Sequence, residues 1–218
     1  MLYEKERRLI IETCLYMQSI DFFLSTWGNI SMRIGEHILL TPSKVCYDTM
    51  KPEDMVVIDM EGNKVEGERN PTSEKEVHRR IYVNRPDVGA IIHAHTAKAM
   101  ACSVLDIPEV PCMVEEMSQM LGGAIPLTRD YVEAVEHAEL GKAAAAAIGD
   151  VNGVIMRNHG PVACGRDMSE AIIVAKVIEK ACGIYLSIAP QSEMRLIPQA
   201  NIDSERHHFL YSYGKDKT

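Results

Sequence analysis

The feature that most constrains the fold of this sequence is a two-residue connection between two short apolar runs. Residues 30–34 and 37–41 are separated only by Gly35-Glu36, and glycine in the first position of such a turn is typical of a β-hairpin. Further strands are predicted at residues 55–59, 89–95, 153–157 and 162–164. Because these strands alternate with helical segments, we predict a mixed sheet covered by helices, which is an α/β fold.

One helix start is predicted in detail. Ser73 and Glu76 have the spacing of a capping box, which indicates a helix that ends near residue 84 and carries Glu74 in its first turn. Further helices are predicted, from apolar residues at helical spacing, at residues 3–19, 96–105, 142–148 and 169–188.

Size and charge narrow the class of protein. The 218 residues suit one domain, which we expect over residues 1–190, followed by a C-terminal tail over residues 191–218. The net charge of −8 argues against nucleic acid or an anionic membrane as the partner. We find no apolar run long enough to cross a bilayer, no secretory signal and no paired cysteine motif, so we expect a cytoplasmic protein whose six cysteines are reduced thiols.

Two histidines at the end of a predicted strand suggest metal chemistry. Side chains two residues apart on a strand lie on one face, so His93 and His95 have Cα atoms roughly 6.6 Å apart and can bind one cation. An ordinary polar pair is the simpler interpretation, because a zinc site needs three or four ligands. His159, in a loop after an apolar strand, and Glu74, near a helix start, would complete a ligand set suited to zinc or another divalent transition metal.

Taken singly, the two additional ligands have ordinary explanations. His159 suits a turn histidine bonded to backbone, and Glu74 suits a solvated acid favoured by the helix dipole. The remaining histidines lack metal-ligand spacing and are interpreted as structural or surface residues: His37, His78, His137, His207 and His208.

Three polar turns are candidates for binding an anion. Thr26-Trp27-Gly28-Asn29, Thr41-Pro42-Ser43 and Thr72-Ser73 combine small hydroxyls with backbone amides, two of them directly before a predicted strand or helix. Each turn alone is weak evidence, since turns are rich in these residues for backbone reasons.

Five motifs, in order and over residues 5–190, resemble the class II aldolase/adducin superfamily, and within it the L-fuculose-1-phosphate aldolases. The motifs are Gly28-Asn29-Ile30-Ser31, Thr41-Pro42-Ser43, Pro71-Thr72-Ser73-Glu74, His93-Ala94-His95 and Asn158-His159-Gly160. The resemblance implies a three-layer α/β/α domain with a mostly antiparallel central sheet. It also implies a homotetramer with active sites at subunit boundaries.

The resemblance implies a role for each motif residue. His93, His95 and His159 would bind Zn²⁺, and Glu74 would be the catalytic acid/base that also ligates the resting metal. Tyr213 would close over the site as a catalytic residue from the tail. The substrate phosphate would be held by Gly28, Asn29, Ser43, Lys44, Thr72 and Ser73.

Three positions bear on the choice of reaction. Glu74 favours an aldolase over the related ribulose-phosphate 4-epimerases, which carry aspartate there. Lys44 replaces a glycine whose amide usually meets the phosphate, so it either adds a charge to the same anion or reflects a shifted anion. Cys112 stands where the aldolases have a tyrosine, and the nearby polar residues Glu115, Glu116 and Gln119 have no assigned role.

The reaction implied by the resemblance is cleavage of a ketose 1-phosphate between C3 and C4. The products would be dihydroxyacetone phosphate, formed through a zinc-stabilised enediolate, and a short aldehyde. Alternatives are a 5-deoxy- or 5-methylthio-ribulose 1-phosphate as substrate, or a sugar-phosphate dehydratase or decarboxylase with the same metal site. A non-catalytic, adducin-like interaction domain is disfavoured, because such a domain has no need of Glu74 and the three histidines.

Overall fold

The computed structural model describes residues 1–189 and 194–212. Within these ranges the strands are β1 Asn29–Ile34, β2 His37–Leu40, β3 Val56–Asp59, β4 Lys64–Glu66, β5 Ala90–His93, β6 Glu109–Val110, β7 Ile125–Pro126, β8 Gly153–Met156 and β9 Gly160–Gly165. The α-helices are α1 Glu4–Ser19, α2 Lys75–Asn84, α3 Ala97–Ser103, α4 His137–Ile148, α5 Met168–Ile188 and α6 Gln199–Tyr211.

Seven of these strands form one sheet in the order β4-β3-β2-β1-β5-β9-β8. Every neighbouring pair is antiparallel, so the mixed sheet predicted from the strand and helix pattern is wrong and the mostly antiparallel sheet implied by the resemblance is confirmed. The pattern misleads because a helix between two strands does not require a parallel crossover. The predicted hairpin is confirmed, with Gly35 at φ +60° between β1 and β2.

Helices cover both faces of this sheet. Successive residues of the central strand β5 point to opposite sides: Ile91 packs in a core with α2 and α4, whereas Ile92 packs in a core with α1, α3 and α5. The three-layer α/β/α architecture is therefore confirmed. None of the described helices combines the length and apolar character that crossing a membrane requires.

The predicted capping box at the start of α2 is wrong. The helix begins at Lys75, and the N-cap residue is Glu74, whose side chain makes no capping hydrogen bond. Glu76 cannot serve the cap because its carboxylate pairs with Arg79, 2.7 Å away on the next turn. The side chain of Glu74 is therefore free to point away from its own helix and toward the sheet.

The tail contains structure that the sequence pattern does not indicate. Helix α6 packs against a π-helical turn, Met117–Leu121, and buries Ile202 in the same core as α5. Arg206 anchors α6 by donating hydrogen bonds to the backbone carbonyls of Gln119 and Met120. The pattern fails because α6 has few apolar residues and relies on this polar anchor. All six cysteines are free thiols, as predicted.

Candidate active site

The candidate residues meet at one end of three central strands. β1 begins at Asn29 and β5 ends at His93, and the antiparallel register makes these two residues direct neighbours. On the other side β5 pairs with β9, which begins at Gly160. The turn from β8 to β9 therefore brings His159 to the same edge, helped by Asn158 in a left-handed conformation at φ +55°.

Four side chains converge at this edge, and we call them the histidine cluster: Glu74, His93, His95 and His159. One ligand atom from each lies within 4.8 Å of all the others. The Nε2 atoms of His93 and His95 are 3.0 Å apart, and Glu74 places Oε1 2.9 Å from Nε2 of His159. Ligands of one tetrahedral zinc ion lie about 3.3 Å apart, so small side-chain rotations bring all four atoms onto one cation.

The backbone prepares His93 as a ligand. Its Nδ1–H donates to the Pro161 carbonyl at 2.9 Å, which leaves the lone pair of the neutral ring on Nε2. Burial lowers the pKa of His93 to about 3, so the ring is neutral at pH 7. That Nε2 lone pair faces the Glu74 Oε2 at 3.2 Å. Two acceptors so close repel unless a cation lies between them, and the donor set therefore fits a divalent metal.

Electrostatics favours the ionised form of Glu74 and the neutral forms of His93 and His95. Burial would raise the pKa of the Glu74 carboxyl, but His93, His159 and Asn29 together hold it well below its usual range. Burial, together with His159, lowers the pKa of His95. A carboxylate and neutral imidazoles are the forms that bind metals.

Close packing holds the histidine rings in place. A Cβ added to Gly160 would lie 2.5 Å from the Ala94 carbonyl and 3.4 Å from the rings of His93 and His95. Trp27 lies beside His95, with ring centroids 6.1 Å apart and ring planes tilted by 32°. Any side chain at position 160 would therefore displace the chain segment between the two histidines.

The three predicted anion-binding turns lie together beside the histidine cluster. They line a cavity of about 290 Å³, the polar pocket, whose walls are Thr26, Trp27, Gly28, Asn29, Pro42, Ser43, Lys44, Thr72, Ser73, Glu74 and His95. Backbone hydrogen bonds join the turns, because Thr72 donates to the Thr41 carbonyl and Ser43 donates to the Asn70 carbonyl. The cavity is the right size for a small polar ligand, and it adjoins the cluster through Glu74 and His95.

Phosphate binding alone does not explain Gly28 and Lys44 of the polar pocket. Gly28 is required by the fold itself, since a Cβ there would lie 2.4 Å from the Phe23 ring and φ is +121°. Lys44 retains a left-handed backbone, φ +60°, of the kind that glycine adopts most easily. Lys44 therefore places an exposed side chain at the pocket wall from a backbone conformation that glycine would adopt without strain.

A buried set of polar residues behind Glu74 was missed by the sequence reasoning. Asn29 Nδ2 donates to Glu74 Oε2 at 2.6 Å, and its Oδ1 accepts from Nε2 of His78 at 2.5 Å. Ser31 Oγ lies 2.7 Å from Nδ1 of His78 and 2.8 Å from the Tyr82 hydroxyl. The spacing of Glu74, His78 and Tyr82, at i, i+4 and i+8, is the pattern that indicates one helix face.

The remaining candidates do not join the site through any contact in the described residues. Glu116 pairs with Lys180, and Gln119 donates to Glu205 of α6. Cys112 is buried, and burial raises the pKa of its thiol to about 11. Tyr213 lies outside the described residues.

Comparisons with known proteins reveal a similarity over most of the chain. The sequence model of the family described as Class II Aldolase and Adducin N-terminal domain matches residues 8–186. An L-fuculose 1-phosphate aldolase structure superposes with a TM-score of 0.87 at 27% identity, covering 94% of this chain and 96% of that one.

More distant structures share the fold. YgbL from Klebsiella pneumoniae, provisionally assigned as an aldolase, epimerase or decarboxylase, has a TM-score of 0.83 at 21% identity, with 94% of this chain and 100% of that chain covered. The L-fuculose-1-phosphate aldolase from Thermus thermophilus has a TM-score of 0.69 at 22% identity, with coverage of 84% and 93%. The similarity spans both helical layers and the sheet between them.

Proposed function

The chain belongs to the class II aldolase and adducin family, and from this premise we propose that it is a metal-dependent aldehyde-lyase acting on a ketose 1-phosphate. The products are dihydroxyacetone phosphate and a short aldehyde. The observation that carries the proposal is the contact between the histidine cluster, which fits a divalent metal, and the polar pocket, which suits a phosphate. We favour Zn²⁺ as the metal, because three imidazoles and one carboxylate are ligands that zinc accepts.

In this proposal, different residues hold the metal and bind the substrate phosphate. His93, His95 and His159 would hold the metal, which would supply a Lewis acid for the charge that develops as the C3–C4 bond breaks. Thr72, Ser73 and the turn at Ser43 bind the phosphate through hydroxyls and backbone amides, and Lys44 contributes a positive charge. These contacts fix the three-carbon end of the substrate next to Glu74.

Glu74 is the proposed acid/base. Its carboxylate is ionised and borders both the histidine cluster and the polar pocket, so it can accept the C3 proton of dihydroxyacetone phosphate in the condensation direction. In cleavage the C4 hydroxyl loses its proton to solvent as the aldehyde forms, and Glu74, which takes up a proton from solvent in exchange, delivers it to C3 of the three-carbon fragment. Because one carboxylate cannot bind a metal and carry the proton together, Glu74 would act as the base only when it is not a metal ligand.

The test is proton exchange without any aldehyde. Dihydroxyacetone phosphate incubated in D₂O with the metal-loaded enzyme should lose one C3 proton to solvent, as followed by NMR. Glu74→Gln should retain the metal and slow this exchange by at least about 10³-fold, since it removes the base while preserving the shape of the side chain. Exchange at an undiminished rate in Glu74→Gln would refute the assignment.

The identity of the aldehyde product has to be determined by testing a panel of substrates. We propose an L-fuculose 1-phosphate-like sugar first, because the motif resemblance and the 27% identical neighbour point in that direction. The panel should include 5-deoxy- and 5-methylthio-ribulose 1-phosphate, with products identified by NMR. Release of water, of carbon dioxide or of an epimer in place of an aldehyde would reassign the enzyme to another reaction of the same site.

We also propose a cytoplasmic homotetramer with sites at subunit boundaries, as the family resemblance implies. Exposed apolar side chains near the polar pocket support a neighbouring subunit there: Leu24 is 65% exposed and Trp27 is 58% exposed in the single chain. Light scattering should give four times the chain mass.

A further inference from the structure

A hydrogen-bonded chain of buried side chains runs from the interior of the protein to Glu74. It consists of Tyr82, Ser31, His78 and Asn29, which we call the α2 network because two of its members lie on α2. Every member is at most 6% exposed. The proposed mechanism gives none of these four residues a role, although the family resemblance places Asn29 among the phosphate ligands.

The acceptor at the end of the α2 network determines the direction of every hydrogen bond in it. An ionised carboxylate can only accept, so the Asn29 amide must turn its NH₂ group to Glu74 and its Oδ1 to His78. The imidazole of His78, which is neutral because burial lowers its pKa to about 4, then donates from Nε2 and accepts at Nδ1 from the Ser31 hydroxyl. Ser31 in turn accepts from the Tyr82 hydroxyl. Each bond supports one orientation of the Asn29 amide plane.

The opposite orientation of Asn29 would be costly. A flipped amide would set its Oδ1 against the Glu74 carboxylate and its NH₂ against the Nε2–H of His78. Both contacts would repel, and the Nε2–H of His78 has no water to turn to, since His78 is fully buried. Ser31 and Tyr82 hold the imidazole in the ring position and protonation state that oppose this flip.

We propose that His78, supported by Ser31 and Tyr82, is a positioning residue that fixes the Asn29 amide and through it holds Glu74 for proton transfer. Asn29 also lines the polar pocket and has a second amide hydrogen. One amide plane therefore connects the phosphate end of the substrate to the base. This inference deepens the proposed function and rests on it for the identity of the reaction.

The experiment compares three variants of the full-length, metal-loaded protein. His78→Leu removes both ring nitrogens, His78→Gln retains an amide donor near the Nε2 position, and Ile81→Val trims a fully buried apolar residue of the same helix as the matched control. We expect His78→Leu to lower kcat for deuterium exchange into dihydroxyacetone phosphate about 100-fold, because misplacing a reacting group by about 1 Å has effects of this size. Metal content should be unchanged and KM should stay within about threefold.

The other two variants separate positioning from packing. His78→Gln should recover kcat to within about tenfold of the wild type, since a donor to Asn29 is restored. Ile81→Val should match the wild type. Equal losses of kcat in His78→Leu and Ile81→Val, or no recovery in His78→Gln, would overturn the proposal.

A second readout does not depend on catalysis. In ¹⁵N-labelled protein without metal, the Asn29 side-chain amide should give one pair of NH signals that exchange slowly with solvent. These signals should broaden or double in His78→Leu and persist in His78→Gln and Ile81→Val. An unchanged Asn29 amide in His78→Leu would overturn the positioning role.

The two readouts distinguish the two hypotheses. If the wild type exchanges no proton, the proposed function fails, while the Asn29 signals still decide the α2 network. If His78→Leu does not fold, Ser31→Ala replaces it, and we expect about a fivefold lower kcat with a doubled Asn29 signal. A single unchanged Asn29 signal in Ser31→Ala would then count against the proposal.

Discussion

The histidine cluster takes its residues from a strand end, a hairpin turn and a helix cap, whereas the polar pocket is lined mainly by three turns. In the cluster, His93 is fully buried and its ring is fixed by the Pro161 carbonyl. In the pocket, Ser73 and Lys44 are exposed, and the walls are tied to one another mainly through backbone hydrogen bonds. A metal needs ligands fixed to within a few tenths of an ångström, whereas a phosphate tolerates several donors that adjust.

This contrast indicates where substitutions act. Changes in the histidine cluster should abolish chemistry, because the metal and the base share one set of atoms. Changes in the polar pocket should alter substrate affinity by modest factors, because each contact is one of several. The three experiments that follow test this division in order of decreasing effect.

Removal of the metal should have the largest effect. Dialysis against a chelator should lower the cleavage rate at least about 10³-fold, since the lost charge stabilisation amounts to several kcal/mol and each 1.4 kcal/mol is a factor of ten. Added Zn²⁺ should restore the rate. Undiminished turnover by protein shown to be free of metal would remove the basis of the proposed lyase chemistry.

Alanine substitutions at Gly160, beside the histidine cluster, and at Gly28, in the polar pocket, should differ in their effect on metal binding. Gly160→Ala forces a Cβ to within 2.5 Å of the Ala94 carbonyl, so we expect a loss of about 1–3 kcal/mol in the free energy of unfolding and at least about tenfold weaker metal binding. Gly28→Ala meets the Phe23 ring at 2.4 Å and should also destabilise, but metal affinity should stay within about twofold. Titration with Zn²⁺ measures the metal affinity of both variants. Equal losses of affinity would contradict the proposed difference between the histidine cluster and the polar pocket.

Lys44→Gly should have the smallest effect of the three experiments. It should stabilise the fold and weaken substrate binding. Glycine relieves the left-handed backbone at φ +60°, so the free energy of unfolding should rise by about 0.5–1 kcal/mol. Loss of the exposed charge should raise KM for the sugar phosphate about fivefold with kcat unchanged. Lys142→Gly is the charge control, because Lys142 lies on α4 and pairs with Glu139. An unchanged KM in Lys44→Gly would exclude Lys44 from phosphate binding.

Much of the fold follows from local patterns in the sequence. The β1–β2 hairpin, the helix α5 and the strand β5 are each indicated by a few neighbouring residues, although β5 ends at His93, two residues before the predicted end, so that His95 follows the strand. Strand direction is not, because β5 is antiparallel to both β1 and β9 although helices separate them in the chain. Helix α6 was also missed, since a buried Ile202 and the anchor Arg206 leave little apolar periodicity to detect.

The candidate site likewise combines features that the local sequence predicts with features that it does not. The motifs named Glu74 and the three histidines as a group, and the structure brings all four within reach of one cation. The capping box was wrong because Ser73 and Glu76 have the right spacing, while Arg79 offers Glu76 a stronger partner. The lack of metal-ligand spacing indicates that His78 is a structural or surface residue, and the structure shows it fully buried and in contact with Asn29 as part of the α2 network.

By itself, the amino-acid sequence determined which residue types can bind a metal, which turns can hold an anion and where most helices and strands begin. Only the tertiary structure decided which of these groups contact one another. The reason is physical: the bond from Asn29 to Glu74 joins residues 45 positions apart, and that from His78 to Asn29 joins residues 49 apart. Such contacts depend on strand register and on a helix packed across the sheet, which no local spacing specifies.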